Sequence, residues 1–337
     1  MAVSASIGIA SCCGADCNAE DLLRNADIAM YYAKRSHGRE RLRFFSSDML
    51  KGVEESWRLQ NDFRDAIRRR ELVLQYQPMM DLASGEIRSV EALVRWRRPD
   101  GTLRSPADFI PAAEETGMIA EVGEWVLRNA CFQSAEWRRA GCAPLSMAVN
   151  VSAYQLIRPD FYETVQRALS DASLPPRSLT LELTESTLME NAETTLRVLR
   201  LLSESGVGIC IDDFGTGYSS LAYLQNDVFD SLKIDRGFVS GISDHGGASL
   251  IGGIISLAHG MGMSVTGEGV ESPEQLEALR AQRCDQIQGF LISKPLFAED
   301  FCAYREVTAG PIAGPVRVGD SRGRVVEMSG KASLISA

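Results

Sequence analysis

The chain has 337 residues, 45% hydrophobic and 24% charged, a composition that fills a sizeable core and excludes the disordered, collagen-like and membrane-embedded classes. Its formal net charge of −10 excludes a long nucleic-acid partner held by phosphate neutralisation, and an anionic substrate would need cations to mediate. The cysteines Cys12, Cys13, Cys17, Cys131, Cys142, Cys210, Cys284 and Cys302 lack framework spacing. With no apolar run of ~18 residues and no signal-type leader, they predict free thiols in a cytoplasmic chain that makes no membrane contact.

In chain order, VSASIGIA over residues 3–10 alternates as a strand. Residues 19–36 carry Leu22, Leu23, Ala26, Ala29, Met30 and Ala33 at helical spacing, and RLRFF over 41–45 reads as a second strand. This segment, 1–46, is too small to be stable alone and reads as the end of something larger. A helix is predicted from about Asp48 to Arg69, where Val53, Trp57, Leu59, Phe63 and Ile67 recur on one side. It includes a linker, 47–58, and leads into the main domain, 59–306.

From Glu71, β-rich runs alternate with helical stretches: ELVLQYQP, SVEALVRW, SMAVNVSA, LTLELTES, VGICIDDF, SLKIDRGF, SVTGEGVE and QIQGFLIS. Eight strands with helical crossovers in about 235 residues predict an α/β fold, a (β/α)8 TIM-like barrel preceded by a short α/β fragment. Helical stretches are predicted to stop at Gly141 and Gly206. Only residues 83–86 separate the first two strands, too few for a helix, so those strands are predicted antiparallel, with Ser84-Gly85 in the turn. Residues 307–337 show little apolar periodicity and are predicted to form a flexible tail.

Barrel chemistry sits at the C-terminal ends of the strands. Those ends carry Glu91, Asn150, Glu182 with Glu185, Asp212 with Asp213, Lys233 with Asp235, Glu268 with Glu271, and Gln288. Many follow apolar runs such as Ile209-Cys210-Ile211, where an unpaired carboxylate is costly. Carboxylates and one amide, with no His or Cys, make an oxygen-ligand set for a hard cation such as Mg²⁺ or Mn²⁺. Asp212-Asp213 suits a pair of ions used for in-line attack on a phosphodiester. Lys233 fits two roles equally, orienting a water or neutralising the acids. Arg95, four residues beyond Glu91 on the same strand face, suits a phosphate contact or a rim salt bridge. Asp213-Phe214-Gly215 matches the protein-kinase metal tripeptide, but no kinase catalytic loop or lysine motif accompanies it. Cys13 and Cys17 lack zinc-site partners, and His37, His245 and His259 read as surface or helix residues.

Taken together, Gln75-Tyr76-Gln77-Pro78, Glu91-Ala92-Leu93-Val94-Arg95-Trp96, Phe109-Ile110-Pro111, Asn150-Val151-Ser152, Glu182-Leu183-Thr184-Glu185, Asp212 through Ser220 (DDFGTGYSS), Lys233-Ile234-Asp235, Glu268-Gly269-Val270-Glu271 and Gln288-Gly289-Phe290 resemble the EAL-domain cyclic-di-GMP phosphodiesterases over about residues 59–304. The stretch before, with SIGIA, Ala26 through Arg35 and Gly38-Arg39-Glu40-Arg41, resembles the C-terminal third of a GGDEF domain. The GGDEF motif itself is not in the chain, so cyclase activity is not expected of it.

The resemblance implies hydrolysis of cyclic di-GMP to linear 5′-pGpG with two Mg²⁺ or Mn²⁺ ions per site, held by Glu91, Asn150, Glu182, Asp212, Asp213 and Glu268. It implies catalytic roles for Glu268, Lys233 and Glu91, and substrate contacts from Arg95, Gln288, Leu93 and Gln75. Glu185, Asp235 and Glu271 would steady loops, Glu185 the one at Asp212-Asp213. It further implies a homodimer through the EAL domain, and a tandem GGDEF-EAL parent protein open to membrane anchorage through its N-terminal region. Gly267 and Phe290 depart from the family's commoner Ala and Tyr, and Gly267 is expected to loosen the strand leading to Glu268. The rival reading is a catalytically silent receptor for cyclic di-GMP, disfavoured because every acidic ligand and the lysine are present; a less specific phosphodiesterase is a third.

Overall fold

The computed structural model describes residues 5–11, 18–35, 42–141, 145–189, 192–216, 224, 226–242, 246–308, 317–319 and 325–327. They divide into two units, Met1–Arg70 with Phe109–Thr116, and Glu71–Asp108 with Gly117–Ala337.

In the first unit, alternating apolar residues make two short strands, β1 (Ile7–Ile9) and β2 (Leu42–Phe44), which pair in parallel on either side of helix α1 (Ala19–Arg35) in sequence. A side chain at Gly8 would overlap the α1 backbone at Ala26 and Met30, so glycine lets helix and strand touch. Helix α2 (Ser47–Arg68) follows, close to its predicted span, and Phe63 on it stacks on Phe109 at 4.8 Å. The first strand is shorter than the alternation predicts.

The second unit is a closed barrel. Its strands are β3 (Leu72–Asp81), β4 (Ile87–Arg97), β6 (Ser146–Asn150), β7 (Leu179–Thr184), β8 (Gly208–Phe214), β9 (Ser231–Ile234), β10 (Ser264–Gly267) and β11 (Gln286–Gln288), while a two-residue strand, β5 (Leu103–Arg104), adds a hairpin to β4. The order β3-β11-β10-β9-β8-β7-β6-β4 closes through the β3–β4 pairing. As predicted, β3 is antiparallel to β4; it is antiparallel to β11 as well, so one reversed strand seals a barrel whose other barrel neighbours run parallel. The β3–β4 turn has Gly85 at φ +72°, and Asp81 Oδ1 accepts from the Ser84 amide at 2.7 Å.

Helices α3 (Pro106–Glu115), α4 (Ile119–Arg139), α5 (Ala153–Leu156), α6 (Phe161–Ala172), α7 (Glu185–Met189), α8 (Ala192–Glu204), α9 (Arg236–Ser240), α10 (Gly247–Gly260), α11 (Pro273–Ala281) and α12 (Ala298–Thr308) complete the order. α3 straddles the two units in sequence. After α4 and α8 the chain turns at Gly141 and Gly206, at φ +83° and +92°, where a Cβ would be strained. Leu181, Ile209, Ile211, Ile234, Val265 and Ile287 are wholly buried, as strands covered on both sides require.

Within the predicted tail, α12 continues to Thr308, and β12 (Arg317–Gly319) pairs antiparallel with β13 (Val325–Glu327); its other residues lie outside those described. So do Cys12, Cys13, Cys17, Cys142, His37, His245, Gly38 to Arg41 and Gly217 to Ser220. Cys131, Cys210, Cys284 and Cys302 are free thiols, as expected. Among the described residues no helix is long and apolar enough to cross a membrane.

Candidate active site

Strand alternation sends Glu91, Glu182, Asp212 and Lys233 to the barrel interior, with Glu268 one residue beyond β10, and the five meet. Lys233 Nζ lies 2.7 Å from Glu268, 3.1 Å from Glu91, 3.1 Å from Glu182 and 3.6 Å from Asp212, with only 1% of the lysine exposed. An ammonium has three protons and here faces four carboxylates.

The second aspartate arrives by a local irregularity. Between Ile211 and Phe214 the β8–β9 register slips by one residue, and Asp213 adopts φ +51°. Consecutive side chains on a regular strand point to opposite faces; the bulge and left-handed backbone bring both carboxylates to one side, at a conformational cost of about 1–3 kcal/mol. Ligand oxygens of Asp212, Asp213 and Glu268 consequently lie within 4.8 Å of one another. Gly215, at φ +96°, has no room for a Cβ against the Phe238 ring, and its amide donates to Glu185 Oε2 at 3.3 Å. That bond places Glu185 where it can steady this turn, while its Oε1 is buried with no partner.

Glu91 is the best-supported carboxylate, accepting from Asn150 Nδ2 at 2.6 Å, Gln288 Nε2 at 2.7 Å and Lys233. Burial disfavours its charge, but the Lys233 ammonium and these hydrogen bonds outweigh that and hold its carboxyl below the usual range. Glu182, equally close to Lys233, lacks the two amide donors; burial dominates, the other carboxylates add to it, and its carboxyl is pushed well up. Burial likewise raises Glu268 to about 7 and Asp213 above its ordinary value, in Asp213 with Asp212 contributing. Lys233 is held charged: burial opposes it, but Glu182, Glu268, Glu91 and Asp212 prevail.

Five carboxylates against one ammonium leave a buried negative excess, and the remaining donors are oxygens. This set fits hard divalent cations. Glu91, Asn150, Glu182, Asp212, Asp213 and Glu268 are the residues that could hold them.

Around the cluster, Arg95 Nε donates to Gln75 Oε1 at 2.9 Å, and Leu93 faces Gln75 across the β3–β4 ladder. Asp235 caps α9 through the Gly237 amide at 2.8 Å while its charge also bears on Asp213, and Glu271 pairs with Arg236 at 3.3 Å. Gly267 is less a loose point than a packed one: Leu279 Cδ1 lies 2.8 Å from where a Cβ would stand. Two contacts escape the sequence reading. Gln77, opposite Glu91 on β3, accepts from Gln288 Nε2 at 3.1 Å, a placement its alternation with Gln75 could have signalled. His259 is an exposed helix residue, as expected, and its Nε2 lies 2.8 Å from Asp285, a residue 26 positions away and beyond any local signal.

A closed α/β barrel with an oxygen-only acidic cluster at its C-terminal mouth defines the class. The EAL-domain model matches residues 60–295, and the chain belongs to the EAL-domain family. The bifunctional diguanylate cyclase/cyclic di-GMP phosphodiesterase MucR of Pseudomonas aeruginosa is 44% identical over 302 residues, covering 89% of this chain and 44% of that protein. The cyclic di-GMP phosphodiesterase NbdA of the same organism is 40% identical over 317 residues, covering 93% of this chain and 40% of that one. The chain thus spans less than half the length of these curated relatives. A solved PaMucR phosphodiesterase in complex with cyclic di-GMP superposes with a TM-score of 0.69 at 43% identity, over 72% of this chain and 99% of that one.

Proposed function

We propose that this chain is a phosphodiesterase that hydrolyses one 3′-5′ bond of cyclic di-GMP, releasing linear 5′-pGpG, with two Mg²⁺ or Mn²⁺ ions in the acidic cluster. The observation that carries the reading is the convergence of Glu91, Glu182, Asp212, Asp213 and Glu268 about Lys233. The names of MucR and NbdA, and the ligand in the PaMucR complex, support the substrate.

Cations held by the acidic cluster and Asn150 would lower the pKa of the attacking water and offset charge on the phosphoryl oxygens. Lys233 and Glu268, 2.7 Å apart, are positioned to orient that water and take its proton. Arg95, steadied by Gln75, would hold a phosphate, with Leu93 and Gln288 completing the substrate contacts. Glu185, Asp235 and Glu271 act on the loops around them.

The parallel pairing of β1 and β2 beside α1 supports the reading of residues 1–46 as the C-terminal end of a GGDEF domain. Assembly as a homodimer through the EAL domain and a cytoplasmic location complete the proposal.

The test incubates the protein with cyclic di-GMP in Mg²⁺, in Mn²⁺ and in EDTA, separating nucleotides chromatographically over time. Formation of pGpG with metal alone is the expected result. Binding without turnover in either metal would make the chain a receptor, and comparable turnover of unrelated cyclic nucleotides would remove the specificity.

A further inference from the structure

The barrel floor is strongly negative, yet the proposed substrate carries two phosphates, and the hairpin of β4 and β5 answers that conflict. Residues 95–104, RWRRPDGTLR, hold four arginines and one aspartate in a chain of net charge −10. On β4, Glu91, Leu93, Arg95 and Arg97 occupy alternate positions and so share the barrel-facing side, running from the acidic cluster outward past the rim. Arg97 is exposed, and its guanidinium is set 5.2 Å above the Phe297 ring. On the other face of the hairpin Arg104 sits directly opposite Trp96, and Arg98 and Arg104 lie 5.3 and 5.6 Å from its ring.

Aromatic faces hold Arg97 and Arg104 in place without consuming their charge. Of the nearby acids, Asp100 is engaged by the Thr102 amide and hydroxyl, and Glu71 accepts from the Trp96 indole N–H at 2.9 Å. Within residues 95–104 four arginines stand against the single aspartate, and Lys294, exposed beyond β11, is a further cation at the end of that strand. A low-dielectric cleft with a cationic edge concentrates anions at its entrance.

We propose that Arg97, backed by Arg104 on the hairpin's other face, forms an electrostatic capture rim that draws the dianionic cyclic dinucleotide to the mouth and delivers it along β4 to Arg95. The inference rests on the proposed activity, because it presumes an anionic substrate for this site. Arg97 and Arg104 would act on capture alone and touch no reacting atom.

The test compares wild type with Arg97→Glu, Arg97→Lys and Arg104→Gln, folding being checked by thermal melting, and measures kcat and KM for cyclic di-GMP with Mg²⁺ across ionic strength. At about 0.01 M, where the screening length is about 30 Å, Arg97→Glu should lower kcat/KM roughly tenfold with kcat changed less than about twofold. At about 1 M salt, where the screening length is about 3 Å, it should match wild type. Arg97→Lys should stay near wild type throughout, and Arg104→Gln should show a smaller, equally salt-sensitive loss. Parallel salt dependence of wild type and Arg97→Glu, or a loss residing in kcat, would overturn the rim while leaving the activity standing. If wild type binds cyclic di-GMP without turnover, stopped-flow association rates of a fluorescent analogue replace kcat/KM, with the same salt pattern expected. Absence of both binding and turnover would overturn the activity and the rim together.

Discussion

At the scale of single residues, the site is governed by how few cations face how many carboxylates. Lys233 is buried among Glu91, Glu182, Asp212 and Glu268, so Lys233→Met would leave four carboxylates without their ammonium. Breaking a buried ion pair from one side costs about 3–5 kcal/mol. Urea denaturation in EDTA should show a loss of that order, and Mg²⁺ should restore much of it; an unchanged midpoint would mean the ammonium is not the counter-charge the distances describe. Glu268→Gln keeps the shape while removing a proton acceptor and an anionic ligand, and should lower kcat by at least about 10²-fold. A change confined to KM would reassign Glu268 to substrate binding. Truncating Glu91 is the poorer experiment, since Asn150, Gln288 and Lys233 all donate to it and would lose that acceptor together.

At the scale of elements, the chemistry depends on irregularities in strands that are otherwise regular. The bulge at Asp212-Asp213 doubles the carboxylates that β8 delivers, and the turn after β11 packs as tightly. A Cβ at Gly289 would overlap the backbone of Val270, two residues past Glu268, and backbone cannot yield as a side-chain tip does. Gly289→Ala should therefore destabilise the barrel by about 1–3 kcal/mol, read as a lowered denaturant midpoint. Wild-type stability would show that this turn has slack. Strand identities were legible in the sequence because buried parallel strands read as apolar runs with a polar residue at the exit, as in Ile209-Cys210-Ile211-Asp212. The hairpin of β5 was not, because two residues carry no periodicity.

At the scale of the whole molecule, the acidic cluster couples protonation, cation binding and stability. Burial raises the Glu268 carboxyl to about 7 from an ordinary value of 4.5, so the folded, metal-free protein keeps a proton that the unfolded chain releases. This contribution to stability is complete below about 4.5 and is lost as pH rises through about 7. In EDTA the melting temperature should fall between about pH 5 and pH 8, and Mg²⁺ should raise it more at the upper end, because a cation needs the carboxylates deprotonated. Equal Mg²⁺ stabilisation at both ends would separate Glu268 from the cation site.

What the sequence by itself determined was the barrel, its reversed first strand and the set of polar residues at the strand exits. Each follows from local information, namely periodicity, a connection too short for a helix, and the cost of burying a charge. Tertiary structure alone decided which of those residues meet. Glu271 and Glu268 stand three positions apart, yet one pairs with Arg236 and the other with Lys233, because the chain turns at Gly269, φ +65°, between them. It also decided where charge imbalance concentrates: Glu91 and Glu182 are equidistant from the same ammonium, but only Glu91 receives two side-chain amides, from strands 59 and 197 residues away. Closure of the barrel makes those distances short, and no local pattern encodes closure.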